Sequence, residues 1–243
     1  MHERTEQDSR EQRILDAAGE LLLRFGYRRI TVEDVAARSG VGKGTVYLHW
    51  KTKQELFATL LLREVGDVMQ ELIDGMRADP TEVLLHRMMR ASFLAIMRRP
   101  LARTLYTRDI DTLGKLAGSE LLHNRQRASD ALFLQYVDLL REHGLVCTGT
   151  DRATLGYALQ AAGAGFYFME QFLAPDEQMP LERKAAALAE VVRRAFEPPE
   201  DPDGETLRAV APRAVELFDL MRTPTLCRDV QPDSFCKEET HDS

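Results

Sequence analysis

The sequence has few cysteines and no long run of apolar residues. Its three cysteines, Cys147, Cys227 and Cys236, are scattered and odd in number, which argues against a framework of disulfide bonds. No apolar stretch approaches the ~20 residues that cross a bilayer as a helix. The polar N-terminus lacks the pattern of a signal peptide. We therefore expect a soluble, cytoplasmic protein that does not associate with membranes.

The residue patterns of catalysis and metal binding are also missing. No Ser-His-Asp set, pair of carboxylates or glycine-rich phosphate loop stands in a context that would make it reactive. Cys227, Cys236 and His241 suggest a zinc site, but their spacing is irregular and a fourth ligand is absent. The sequence predicts neither an enzyme nor a metal or cofactor site.

Negative charge is scarce in the first part of the chain and concentrated in the last. The 243 residues carry a formal net charge of −7. Residues 10–63 contain ten Lys and Arg against six Asp and Glu, whereas residues 197–243 contain five against twelve. Because phosphates respond to charges within about a Debye length, ~8 Å, the positive N-terminal region is compatible with nucleic acid binding.

Apolar residues recur at helical spacing along the chain, and no segment alternates strictly enough to predict a strand, so the fold class is all-α. We expect a disordered arm over residues 1–9, then a three-helix domain over 10–52. A larger helical domain follows over 53–197, with a helix over 80–99 among others. Residues 198–243 form an acidic C-terminal extension, which can hold one more helix over 205–221, interrupted or kinked at Pro212, before a disordered tail.

Residues 31–57, TVEDVAARSGVGKGTVYLHWKTKQELF, have the pattern of a helix-turn-helix. Thr31 followed by Asp34 resembles a capping box, and Gly40 can adopt the positive φ of an abrupt turn. Small Ala36 lets the two helices approach closely. The outward face of the third helix then carries Lys43, Gly44, Thr45 and Tyr47, with His49 and Lys53 continuing the polar edge. Such a helix fits the ~12 Å wide major groove of DNA.

This segment resembles the tetracycline-repressor (TetR) family of bacterial regulators. The match consists of a leading helix ending Leu-Leu-x-x-x-Gly-Tyr, then Thr-Val-x-Asp-Val-Ala, Ser-Gly-Val-x-x-Gly-Thr-Val-Tyr, His-Trp and Lys-x-Lys-x-Glu-Leu-Phe, over roughly residues 10–57. The resemblance implies that the third helix enters the major groove, with Lys43, Gly44, Thr45 and Tyr47 against bases or phosphates. It implies that Thr31, His49 and Lys53 clamp the DNA backbone.

Each of these residues also has an ordinary structural interpretation. Tyr47 can pack on the domain core, His49 can cap a helix, and Lys53 can be a solvated lysine. The only tryptophan, Trp50, is assigned to the core in preference to base stacking. Because Gly42 and Gly44 both fall in the predicted third helix, we expect that helix to fray until DNA orders it.

Methionines and aromatics cluster on the helices of the larger domain. Such residues usually form the core, but they also suit irregular apolar ligands. The resemblance implies an inducer site among the middle helices. The candidate lining residues are Met89, Phe93, Met97, Tyr106, Phe133, Tyr136, Tyr157 and Phe166.

Small residues on the predicted helix that begins at Asp151 indicate that another helix packs closely against it. The resemblance implies that this helix and the last main helix form a four-helix dimer interface, with Ala158, Ala162, Gly165, Leu188 and Val192 as candidates. Packing within one subunit is the alternative.

The sequence therefore predicts a homodimeric, ligand-responsive transcriptional regulator, most often a repressor in this family, released from a palindromic DNA operator by a small lipophilic molecule. Two alternatives stay open at this point. One is an all-helical enzyme or carrier, and the other is a DNA-binding protein without sequence preference.

Overall fold

The computed structural model describes residues 2–169, 172 and 179–223, and every regular element in these ranges is a helix. The predicted all-α class is confirmed. In chain order the α-helices are α1 His2–Phe25, α2 Val32–Ser39, α3 Lys43–His49, α4 Lys53–Ala78, α5 Leu85–Met97, α6 Pro100–Tyr106, α7 Ile110–Leu113, α8 Glu120–Glu142, α9 Arg152–Met169, α10 Leu181–Phe196 and α11 Gly204–Arg222. Short 3-10 helices cover Pro80–Val83 and Gly114–Gly118.

Two predicted boundaries are wrong. Helix α1 begins at His2, so the backbone of residues 2–9 is helical where a disordered arm was expected. The single helix expected over 80–99 is split, because Asp79 caps a 3-10 helix by accepting the N–H of Thr81. Leu84 then takes an extended backbone conformation before α5 begins.

Helices α1, α2 and α3 form the N-terminal head around one apolar core. Ile14 and Leu22 of α1, Val35 of α2 and Val46 of α3 are fully or almost fully buried. Thr31 and Asp34 form the predicted capping box at the start of α2. Gly40 ends α2 with φ 71°, the left-handed conformation that glycine adopts at little cost.

Helix α4 belongs to two cores. Its first turns place Leu56, Phe57 and Leu60 in the head core. Its later turns place Val68 and Ile73 in a second core, that of the helices after α4, which we call the body. At 1.5 Å per residue the helix is about 39 Å long. One continuous helix therefore connects the core of the body to the core of the head.

Helix α11 is an integral part of the body, which corrects its assignment to a C-terminal extension. It packs along α4 and α8 and buries one face, formed by Leu207, Val210, Ala211, Ala214, Phe218 and Met221. Its C-terminal end is held by Arg125 of α8, whose guanidinium donates to the carbonyl of Thr223 at 2.5 Å. The helix runs unbroken through Pro212. The expected tail lies outside the described residues.

The loop before α11 is also anchored. Glu197 is buried and accepts hydrogen bonds from the backbone N–H of His86 at 2.8 Å and from the guanidinium of Arg193 at 3.2 Å. Its second contact with His86 joins Oε2 and Nδ1 at 2.7 Å. Because these bonds link the end of α10 to the start of α5, the chain enters α11 from a fixed point.

The head docks on the body through the loop after α1. The N–H of Tyr27 donates to the carbonyl of Thr112 at 2.8 Å. Gly26 has φ 72°, and a Cβ there would lie 3.1 Å from the carbonyl oxygen of Asp111. A larger residue would therefore strain both the turn and this contact.

Candidate DNA-binding surface

Helix α3 presents a polar face outward. Val46 and Trp50 are buried beneath it, whereas Lys43, Gly44 and Tyr47 are exposed. The assignment of Trp50 to the core is therefore confirmed. A Cβ at Gly44 would meet no atom within 4 Å, so the backbone is accessible to a partner at this point. Thr45 is half-buried at the edge of the same surface.

Only one of the two glycines lies inside the helix. Gly42 is the N-cap residue, with extended backbone angles of φ −71° and ψ 148°, and α3 begins at Lys43. Gly44 is therefore the only glycine within α3, and as the second residue it costs at most the value for a helix interior, about 1 kcal/mol relative to alanine. Fraying was expected because both glycines were assigned to α3, but the helix begins only after Gly42.

Lys43 is paired with a residue of α2. Its ammonium forms an ion pair with the carboxylate of Glu33, and it lies 5.7 Å from the centre of the Tyr47 ring. Both partners remain about half exposed. The hydrogen bond between them lowers the pKa of Glu33 and raises the pKa of Lys43. Both groups are thus charged at neutral pH.

Thr31 and His49 have partners within the head. The Thr31 hydroxyl donates to Asp34 at 2.7 Å, and this side-chain bond is the main reason that the pKa of Asp34 is lowered. The Nδ1 atom of His49 lies 3.4 Å from the carboxylate of Glu11 in α1. Thr31 remains exposed and His49 half-buried. Their predicted phosphate contacts stay predictions.

Lys53 forms a structural contact that the sequence did not indicate. Its ammonium donates to the carbonyl of Tyr27 at 2.5 Å and lies 4.1 Å from the centre of the Tyr27 ring. Burial lowers the pKa of Lys53. The side chain therefore ties the start of α4 to the loop after α1, and a phosphate contact from it stays a prediction.

Two residues of this surface were not predicted from the sequence. Leu48 is 80% exposed although it is a large apolar residue on α3, and Glu33 contacts Lys43 from the first turn of α2. The signal for Leu48 was available, since it lies four residues after Gly44 and shares its face. The sequence carries no such signal for Glu33, because its pairing with Lys43 depends on how α2 and α3 cross.

The eight candidate ligand residues separate into two clusters and one outlier. Phe93 lies 6.3 Å from Phe166 and 5.3 Å from Tyr167 between ring centres, and Tyr167 lies 5.6 Å from Tyr106. Ring burial raises the pKa of Tyr106 to about 12. Met89 and Met97 are half-buried against the same core. We call Phe93, Tyr106, Phe166 and Tyr167 the aromatic cluster.

The other candidates lie elsewhere. Tyr136 is fully buried, donates its hydroxyl to Val83 O at 2.6 Å, and packs its ring between Phe133 and Phe218. These residues anchor α8 to α11. Tyr157 points outward and is 76% exposed, so its assignment to a ligand site inside the body is wrong.

The dimer candidates are corrected in the same way. Leu188 and Val192 are buried in the core of their own chain, on the side of α10 that packs against α5, so they are wrong as interface residues. Ala158 and Ala162 are half-buried and Gly165 is exposed. The apolar residues that do face outward on these two helices include Tyr157, Ala161, Ala164, Met169 and Val191.

Within the described ranges, no group of three His, Cys, Asp or Glu residues is placed to hold a metal ion. The candidate zinc ligands Cys227, Cys236 and His241 lie outside those ranges. No described helix is both long enough and apolar enough to span a bilayer.

The exposed α3, packed against α2, forms a helix-turn-helix, and a larger helical body follows it. Residues 14–60 match the family model of bacterial regulatory proteins, tetR family. Over these residues, the N-terminal domain is similar to that family. The resemblance seen in the sequence is thereby confirmed, and the known relatives are regulators of transcription, not enzymes.

The relatives agree in sequence mainly over part of their length. A helix-turn-helix transcriptional regulator of Mycobacterium tuberculosis is 29% identical over 109 residues, which are 41% of this chain and 56% of that protein. The alignment thus spans about half of that relative.

Solved structures extend the similarity to most of the fold. NalD, the secondary repressor of the MexAB-OprM multidrug efflux pump in Pseudomonas aeruginosa, has a TM-score of 0.61 at 20% identity, covering 81% of this chain and all of NalD. The complex of SmeT, a Stenotrophomonas maltophilia repressor, with triclosan also has a TM-score of 0.61, at 21% identity, covering 81% of this chain and 96% of SmeT.

Proposed function

We propose that the protein is a ligand-responsive transcriptional repressor that binds a palindromic operator as a homodimer. The proposal rests on the outward face of α3, which exposes Lys43, Gly44, Tyr47 and Leu48. Val46 and Trp50 are buried beneath this face and pack the helix against the head. The major groove offers base edges to polar groups such as the Lys43 ammonium and the Tyr47 hydroxyl. It also offers thymine methyl groups to an apolar side chain such as Leu48, and Gly44 lets the backbone approach closely.

The dimer would form through the outer faces of α9 and α10. Tyr157 and Val191 are large apolar residues that the chain itself leaves exposed, and Ala161 and Ala164 lie on α9 without bulk that would hold a partner helix away. A two-fold dimer places its two reading helices about 34–36 Å apart, one turn of DNA.

The effector would be a small lipophilic molecule that separates the rings of the aromatic cluster. These side chains contact one another in the structure. Met89 packs against Gly163 of α9 so closely that a Cβ added at Gly163 would lie 3.3 Å from the methyl carbon of Met89. A ligand inserted there would move α5 and α6 apart, and both helices contact α4. A preference of ~1–3 kcal/mol for the DNA-incompetent state would weaken operator binding 5- to 150-fold.

A gel-shift experiment with the DNA upstream of the protein's own gene tests this proposal. We expect a retarded band at about 150 mM salt that survives excess unrelated duplex and disappears with excess unlabelled upstream duplex. Equal competition by every duplex would instead indicate a binder without sequence preference. A dimer that ignores DNA even at low salt would favour a carrier or an enzyme.

A screen for thermal stabilisation by lipophilic compounds tests the effector. Triclosan is a first compound to include, because SmeT was solved with it. A compound that raises the melting temperature should also release the operator. Stabilisation without release would contradict the proposed coupling.

A further inference from the structure

The pair between Glu33 and Lys43 lies at the outer edge of α3. Lys43 is the first residue of α3, and Glu33 lies in the first turn of α2. The side chains are 51% and 55% exposed, so neither is held in place by burial. Tyr47, one turn after Lys43, lies beside the same ammonium group. The carboxylate is therefore part of the surface that α3 offers to DNA.

A carboxylate on this surface is unfavourable unless DNA offers it a donor. The phosphate oxygens repel it, and they have no hydrogen to donate. In the major groove the donors are the exocyclic amino groups, N4 of cytosine and N6 of adenine. A carboxylate accepts best from cytosine N4, since adenine also turns its N7 acceptor toward the same side chain.

The two charges together match one kind of base pair. A lysine donates to O6 and N7 of guanine, and a glutamate accepts from N4 of cytosine. Guanine and cytosine present these acceptor and donor groups side by side in a G·C pair. The Glu33–Lys43 pair presents the complementary donor and acceptor in direct contact.

We propose that Glu33 is a specificity-determining residue and that it reads cytosine together with Lys43 reading guanine, in one G·C pair or in two adjacent ones. This inference rests on the proposed operator binding. It assigns base recognition to α2 as well as to α3, and it predicts an operator with a G·C pair beneath the start of each reading helix.

Selection of bound sequences from a random duplex library tests the inference, and it does not require that the operator be identified first. The wild-type chain should select a palindrome with a fixed G·C pair in each half. Glu33→Ala should lose the preference at that base pair, with discrimination against A·T falling about five- to tenfold. Glu33→Gln should shift it toward adenine, because glutamine reads N6 and N7 of adenine.

The Gln variant separates reading from charge. If Glu33 only neutralised Lys43, then Ala and Gln would both tighten binding to all sequences alike, and the selected base would not change. That result would overturn the inference. Lys43→Ala combined with Glu33→Ala should cost less selectivity than the sum of the two single changes, because the residues act as a unit.

A matched control excludes effects of helix stability. Glu205 is likewise an exposed acid in the first turn of a helix, α11, and Glu205→Gln should leave the selected sequence unchanged. If the wild-type chain selects no sequence at all, the proposed function fails. If it selects a palindrome and both Glu33 variants select the same one, only the assignment of Glu33 fails.

Discussion

At the scale of single residues, the head uses charged side chains for two different purposes. Lys43 and Glu33 meet at the exposed surface, whereas Lys53 turns inward to Tyr27. These lysines are ten positions apart and look alike in the sequence. What distinguishes them is the loop after α1, which brings a backbone carbonyl and an aromatic ring to one of them only.

Removing the charge of Lys53 should destabilise the protein. Lys53→Met keeps the aliphatic stem but loses the hydrogen bond to Tyr27 and the cation–π interaction with its ring. We expect the free energy of unfolding in urea to fall by about 1–2 kcal/mol. Lys51→Met, at an exposed neighbouring position, should change it by less than about 0.5 kcal/mol.

The same variant addresses the predicted phosphate contact. A lysine that contacts phosphate contributes about one unit to the salt dependence of binding, equally for all DNA sequences. If Lys53→Met leaves the stability intact and lowers that slope, Lys53 belongs to the DNA surface and the contact with Tyr27 is incidental.

The sequence was informative about residues whose roles depend on local contacts. The capping box of Thr31 and Asp34 and the positive φ of Gly40 both follow from neighbours within a few positions. The pairing of Glu33 with Lys43 depends on how α2 crosses α3. A single sequence does not specify that crossing at the level of side chains.

At the scale of elements, the acidic C-terminal region concealed a core helix. The Pro-rich segment before Gly204 suggested a linker, and the charge of residues 197–243 suggested an appendage. The apolar residues of α11 nevertheless recur at helical spacing, and they face α4 and α8. Total charge was a poor guide because the acids lie on the exposed side of the helix and in the flanking segments.

Helix α11 should therefore contribute strongly to stability. Phe218 is almost fully buried and packs edge-on against Tyr136, with 5.2 Å between ring centres. Phe218→Ala should lower the free energy of unfolding by about 3–5 kcal/mol, as for other buried phenylalanines. Leu220→Ala, two residues away and 51% exposed, should have little effect. Equal effects of the two changes would contradict the packing described for α11.

Helix α10 shows where periodicity becomes ambiguous. Helix α10 has apolar residues on two sides, with Leu188 and Val192 buried against α5 and Val191 exposed. The sequence pattern does not say which side meets the body and which meets a second copy. Only the packing of α5 decides it, and this contact is remote in the sequence.

At the scale of the whole molecule, the proposed function requires two copies in a defined relation. The exposed apolar face of α9 and α10 is the surface that a second copy would cover. Tyr157→Glu would place a charge there and should convert the dimer to a monomer in analytical ultracentrifugation. Leu220→Glu, an equivalent change at an exposed leucine of α11, should leave the dimer intact. A dimer that persists in Tyr157→Glu would exclude this face.

In the proposed mechanism, the coupling between effector and operator would pass through α4. Its first turns lie in the head core and its later turns in the body core, and the contact of Tyr27 with Thr112 adds a second connection. The head was readily predicted from the sequence because a short motif defines it. The proposed effector site was harder to predict, because its candidate residues are also good core residues. Only the structure separates the aromatic cluster from Tyr136 and Tyr157.

The most direct test of the account is whether α3 reads the major groove. Each guanine of the selected operator can be replaced by 7-deazaguanine, which removes only the N7 acceptor in the major groove. We predict at least a fivefold loss of affinity at the guanine beneath Lys43, and no loss there when inosine removes the minor-groove amino group instead. Unchanged affinity for every 7-deazaguanine duplex, or a loss confined to inosine, would contradict the account.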